Sequence, residues 1–206
     1  MKRIYRTVNV SLIILVLLTI STNLTAQNYW YSKERATTFS IRAGANLSEF
    51  SDMERAKNKA GFNIGVMADY AIRNTPISIQ AGIEFANKGA DNIDREGSTR
   101  LSYIQIPVHI AYKPYVSDKS KFVVYAGPYF AHGISSSSAW NGKDDVDLFD
   151  NGMLKKSDCG LSLGTGFEID RIIMLVGMER GFTDISKIDG EKIKNASYRI
   201  ILGYRF

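Results

Sequence analysis

"SYRIILGYRF", Ser197 to Phe206, alternates at every step. Tyr198, Ile200, Leu202, Tyr204 and Phe206 fall on one side; Ser197, Arg199, Ile201, Gly203 and Arg205 fall on the other. A period of two belongs to a β-strand with two different faces. A segment trailing into water is ordinarily polar and frayed. An apolar, aromatic row backed by arginines instead suits lipid on one side and a polar interior on the other.

Seven further runs share the pattern. They are "TFSIRAGANLS", "GFNIGVMADYAI", "PISIQAGIEFANK", "YIQIPVHIAYK", "KFVVYAGPYFAHGI", "SDCGLSLGTGFEI" and "RIIMLVGMERGFTD". The fifth of these has no clear phase, because both of its sides are fairly apolar. Globular strands average about five or six residues, whereas a tilted strand needs about 9–11 to cross a bilayer. These runs are of the longer kind. Short connections, "RNTP", "PYVSDKS" and "DR", alternate strictly with longer ones at 48–60, 89–100, 135–156 and 185–196. The expected fold is all-β: an eight-stranded antiparallel up-and-down transmembrane barrel with short periplasmic turns and longer external loops. A lipocalin-like soluble barrel would need strand faces rich in exposed Lys and Glu, and these runs carry few.

The N-terminus reads as an export signal. "MKRIYR" is basic, "VSLIILVLLTI" (Val10 to Ile20) is apolar but short for a spanning helix, and "STNLTAQ" offers a cleavage site between Ala26 and Gln27. The expected division is 1–26 signal peptide, 27–36 periplasmic segment and 37–206 barrel domain, placed in a Gram-negative outer membrane. The net charge of +5 includes Lys2, Arg3 and Arg6 of that signal, and no basic run with interleaved aromatics suggests nucleic acid. The single cysteine, Cys159, excludes an intramolecular disulfide and a multi-cysteine metal site. No cofactor is expected.

The polar side of the runs carries the candidate site. Arg42, Asp69, Glu84, Glu168, Glu179, Arg199 and Arg205 would meet in a lumen too narrow for water, as a salt-bridged plug. Phe39, Phe62, Tyr70, Phe85, Tyr112, Phe182, Tyr204 and Phe206 stand near strand ends, where interfacial girdles lie. His109 and His132, with Ser135 to Ser138, supply the residue types of a lipid-modifying enzyme, without a diagnostic spacing. Asp144, Asp145, Asp147 and Asp150 lack the spacing of a calcium loop and read as a solvated external loop.

"AGANLSEF", "IEFANKGA", "YIQIPVHIAYKP", "VVYAGPYFAHGI", "LGTGFEI", "RGFTDI" and "YRIILGYRF" together resemble the small Bacteroidetes outer-membrane β-barrel proteins, including the PorT-like group. The resemblance spans Thr37 to Phe206. It implies an eight-stranded barrel, an association of some members with a secretion system, and a role for Phe206 as the aromatic signal read by the outer-membrane insertion machinery. The expected function is non-enzymatic: structural, adhesive or secretion-complex assembly through external loops. The expected partners are outer-membrane lipid, lipopolysaccharide and other envelope proteins. A lipid- or lipopolysaccharide-modifying enzyme is the alternative, and a narrow pore the third.

Overall fold

The computed structural model describes residues 36–51, 56–92, 97–140, 143–187 and 193–206. The expected signal peptide, 1–26, and most of the 27–36 segment lie outside them. Strands β1 (Thr37–Ser51), β2 (Ala56–Ala71), β3 (Ile77–Asn92) and β4 (Gly97–Tyr112) follow one another as antiparallel hairpins. A three-residue ribbon, β5 (Tyr115–Ser117), leads into the longest strand, β6 (Ser120–Trp140), which carries a short flap, β7 (Lys143–Val146). β8 (Ser157–Ile169), β9 (Ile172–Gly181) and β10 (Lys194–Arg205) complete the wall. β10 pairs with β1 from Ser40↔Arg205 to Ser51↔Lys194, so eight strands close into a barrel. Closure pairs the last open edge, the condition for a sheet in hydrocarbon. No helix occurs among the described residues.

The barrel is inside-out. On β1, Ile41 is 44% exposed while its neighbour Arg42 is 6% exposed. Ile200 and Arg199 on β10 repeat the contrast, at 64% and 6%. The outward rows are Ile, Leu, Val, Met and aromatics, and the inward rows are polar or small. At the end holding the short turns, Phe122 and Phe167 pack edge to face at 5.4 Å, as do Tyr204 and Phe206 at 5.5 Å. Phe62 and Phe85 meet at 5.6 Å toward the other end. The short turns are tight: Asn74 and Asp170 adopt φ of 58° and 53°, a left-handed backbone that Asn and Asp tolerate better than most residues.

The longer loops are shorter than the sequence suggests. The 89–100 segment is mostly ladder, with Gly89↔Arg100, Ala90↔Thr99 and Asp91↔Ser98 paired. β6 likewise runs through the serines to Trp140, and β1 and β2 extend to Ser51 and from Ala56. Alternation fades there because the outward side is no longer apolar. The backbone groups still pair, and pairing does not depend on side-chain pattern.

The ambiguous run is resolved by its neighbours. Val123, Tyr125, Tyr129 and Ala131 of β6 point inward; Phe122, Val124, Phe130 and His132 point outward. A bulge at Ile134, between Tyr103↔Gly133 and Ser102↔Ser135, then reverses the phase and turns Ser136 inward. Inward glycines make room for the inward tyrosines. A Cβ at Gly164 would stand 2.5 Å from the Tyr125 hydroxyl oxygen, and one at Gly160 2.7 Å from the Tyr129 ring. Gly177 of β9 also faces the Tyr125 hydroxyl, so β8 and β9 give up side chains and β6 can send aromatic rings across a narrow lumen.

Candidate functional site

Two charged networks fill the lumen, one above the other. In the network nearer the long hairpins, the Arg199 guanidinium donates to both Glu84 and Glu179. Lys88 Nζ lies 2.9 Å from Glu179 and donates to Gln105 at 3.0 Å. The Gln105 amide donates to Glu179 at 2.7 Å, and Asn63 donates to Glu84 at 3.4 Å. Lys88 Nζ also sits 4.3 Å from the centroid of the Tyr129 ring, a cation–π contact in a desolvated setting. Above it, Asp158 accepts from Asn195 at 2.8 Å and from the Tyr129 hydroxyl at 3.2 Å.

The network nearer the short turns centres on Lys113. It bonds Asp69 and, at 2.6 Å, Glu168. Gln80 donates to Asp69 at 2.6 Å, and Arg205 reaches Glu168 at 3.1 Å and the Asp170 carbonyl at 2.6 Å. Arg42 lies inward and buried, donating to Ser40 Oγ at 3.2 Å. Between the networks His109 stacks on Tyr125 with ring centroids 4.8 Å apart, and its Nε2 meets Ser162 Oγ.

The seven residues named from sequence therefore fall into three groups: Arg199 with Glu84 and Glu179; Arg205 and Glu168 joined to Asp69 through Lys113; and Arg42 with Ser40. Lys88 and Lys113 were missed, although each continues the inward phase by one step, after Ala86 and Ala111. Asp158, Gln105 and Asn195 were missed as well; nothing in their local pattern separates them from ordinary strand polars. His132 faces outward, as do Ser135 and Ser137, whereas the bulge at Ile134 turns Ser136 inward; the serine that hydrogen-bonds a histidine ring is Ser162, with His109.

The mouth above the upper network is capped. Phe149 packs edge to face on Tyr103 at 5.9 Å, within a cluster that includes Leu101, Leu154, Ile185 and Ile193. Asp147 holds this cap in place. Its carboxylate accepts from Ser136 Oγ at 2.6 Å and from the backbone N–H groups of Phe149 at 2.8 Å and Asp150 at 3.1 Å. Asp147 is thus a turn-former rather than a cation ligand. Asp150 pairs with Lys156 at 3.0 Å in an exposed bridge, worth little energetically; the side chains of Asp144 and Asp145 lie outside the described residues. Among the described residues no group of three His, Cys, Asp or Glu side chains could hold a metal.

The Ser136 hydroxyl, followed by the backbone donors, holds the Asp147 carboxyl below the usual carboxylate range. A lowered folded-state value means the contribution is present above the ordinary Asp range and is lost as pH falls through the lowered value. The protection factor of the Phe149 amide, taken against its intrinsic exchange rate at each pH, should therefore fall in acid, and Asp147→Ala should show low protection at every pH. Equal protection in variant and parent at neutral pH would refute this anchoring.

A family model for the outer membrane protein beta-barrel domain matches residues 25–187. The chain belongs to that outer-membrane β-barrel family. Solved structures of the same fold include Neisserial surface protein A, at 15% identity, covering 84% of this chain and 100% of that one with a TM-score of 0.51. A major outer membrane protein of Thermus thermophilus gives the same identity, the same coverages and the same score. OprG of Pseudomonas aeruginosa follows at 15% identity, covering 84% and 97%, with a TM-score of 0.48. No curated protein matches. Family membership places this barrel in the outer membrane of a Gram-negative bacterium, with the short turns periplasmic and the capped mouth outside.

Proposed function

We propose that this outer-membrane barrel is a non-enzymatic protein that works through its external hairpins, in adhesion or in assembling an envelope complex. The observation that supports this is the lumen: it is filled by paired charges and tyrosines and capped by Phe149, so the hairpins and the cap are the surfaces left for a partner. The secretion-complex branch of the reading rests on the resemblance to PorT-like Bacteroidetes proteins. It also includes export by a signal peptide removed after Ala26 and insertion guided by Phe206.

One contact favours the enzymatic alternative. His109 and Ser162 form a hydroxyl–imidazole pair, the elements of a base and a nucleophile. Both are buried, however, and His109 Nδ1 has no partner to orient the ring. The third reading, a pore, requires water where the networks and the cap stand.

A photo-crosslinker at Met153, exposed on the cap, should trap a defined envelope protein or host-surface molecule on intact cells. The trapped chain should begin at Gln27 by mass. A crosslinker that captures nothing specific, together with a lipid product that disappears in His109→Ala, would reverse the ranking.

A further inference from the structure

On the outer wall of β3, β4 and β6 the apolar face gives way to mostly polar residues. Along β4 the outward residues are Ile110, Val108, Ile106 and Ile104, followed by Ser102 and Arg100. Along β3 they pass from Ile83 and Phe85 to Asn87; along β6, from Phe130 to His132, to Ile134 exposed at the bulge, and then to Ser135 and Ser137. The register places these polar residues together: Asn87↔Ser102↔Ser135 form one row, Arg100↔Ser137 the row above, and His132 lies opposite Ile104.

Depth decides what this patch faces. A strand tilted by about 40° climbs roughly 5 Å for every two residues. Ser102 and Arg100 therefore stand roughly 5 and 10 Å above the last lipid-facing isoleucine, within and just above a headgroup layer about 5–8 Å thick. The wall continues as strand through this layer, so the patch is held rigidly at that height.

The patch carries one cation, Arg100, among hydroxyl, amide and imidazole groups. Arg100 and His132 have no ion pair or side-chain hydrogen bond among the described residues, in contrast to Lys88, Lys113 and Arg199 inside. No described carboxylate faces outward on β3, β4 or β6. The Ser102 hydroxyl donates to Asn87 Oδ1 at 2.8 Å, which makes the Asn87 carbonyl the acceptor and leaves its amide N–H groups as donors. A guanidinium suits a phosphate bidentately, and serine and asparagine suit sugar hydroxyls.

We propose that Arg100, His132, Ser102, Ser135 and Asn87 form a docking surface for the phosphorylated sugar headgroup of an outer-leaflet glycolipid. The site lies on the barrel's outer wall, apart from the cap, and is independent of the partner the cap takes.

The test uses purified full-length protein in detergent, titrated with bisphosphorylated lipid A and read by native mass spectrometry. Retention of one lipid A per barrel is expected. Arg100→Ala should weaken it roughly five-fold, and adding His132→Ala should weaken it further by removing a ring donor, whereas Arg73→Ala on a periplasmic turn should leave it unchanged. Heat-modifiable mobility on gels confirms that each variant is folded. Equal retention by the double variant would overturn the proposal. So would equal retention of dephosphorylated lipid A or of phosphatidylglycerol, since either would show that phosphate or sugar is not being read.

Discussion

Replacing Arg199 with methionine should cost the barrel about 3–5 kcal/mol, the usual penalty for removing one partner of a buried ion pair. Arg199 is 6% exposed and is the cation shared by Glu84 and Glu179, which are 6% and 2% exposed. Without it Glu179 keeps Lys88 and Gln105, but Glu84 keeps only the 3.4 Å contact from Asn63. Most of the penalty should therefore be traceable to Glu84. Adding Glu84→Gln to Arg199→Met should recover more than half of the loss, a non-additivity expected of groups in one network. Urea unfolding of the barrel in lipid vesicles, followed by loss of heat-modifiable mobility, measures both values. An unchanged midpoint for Arg199→Met would show that the triad contributes nothing to the fold.

Gly164→Val should rank second, at about 3 kcal/mol, the upper end for forcing extra carbons into a packed interior. The position lies within a strand fixed on both sides, so the backbone cannot retreat, and the Tyr125 ring already occupies the space a Cβ needs. Tyr125→Ala in the same chain should relieve part of this cost, giving a coupling of about 1 kcal/mol or more. Ala126→Val, a smaller gain in volume on the lipid-facing side of β6, should be nearly neutral. If Gly164→Val and Ala126→Val unfold alike, the glycine is not there to admit the ring.

The site was only partly legible in advance. The inward side of each strand follows from counting by two, which is how Arg42, Asp69, Glu84, Glu168, Glu179, Arg199 and Arg205 could be named together. The same count, carried one step further, would have added Lys88 and Lys113. Polar residues such as Gln105, Asp158 and Asn195 gave no warning, because their part is set by what stands across the lumen. Which serines share a face with His132 was illegible for a different reason: an extra residue at Ile134 shifts the phase, so Ser135 and Ser137 stand outward and Ser136 inward, and a bulge leaves no mark in composition.

"SYRIILGYRF" shows where the boundary lies. The alternation of that stretch, repeated seven times at membrane-crossing length, was enough to determine a closed barrel with an apolar exterior, since two dissimilar faces and unpaired edges admit few other arrangements in lipid. It was also enough to turn Arg199 inward. It could not say that Arg199 would lie between Glu84 and Glu179, the first of them 115 residues away. That pairing depends on the stagger and tilt with which eight strands close, on the tyrosines that the β8 and β9 glycines admit, and on the cap that Asp147 folds over the mouth. Such cross-lumen contacts exist only in the closed barrel, because no local pattern encodes the distance across it.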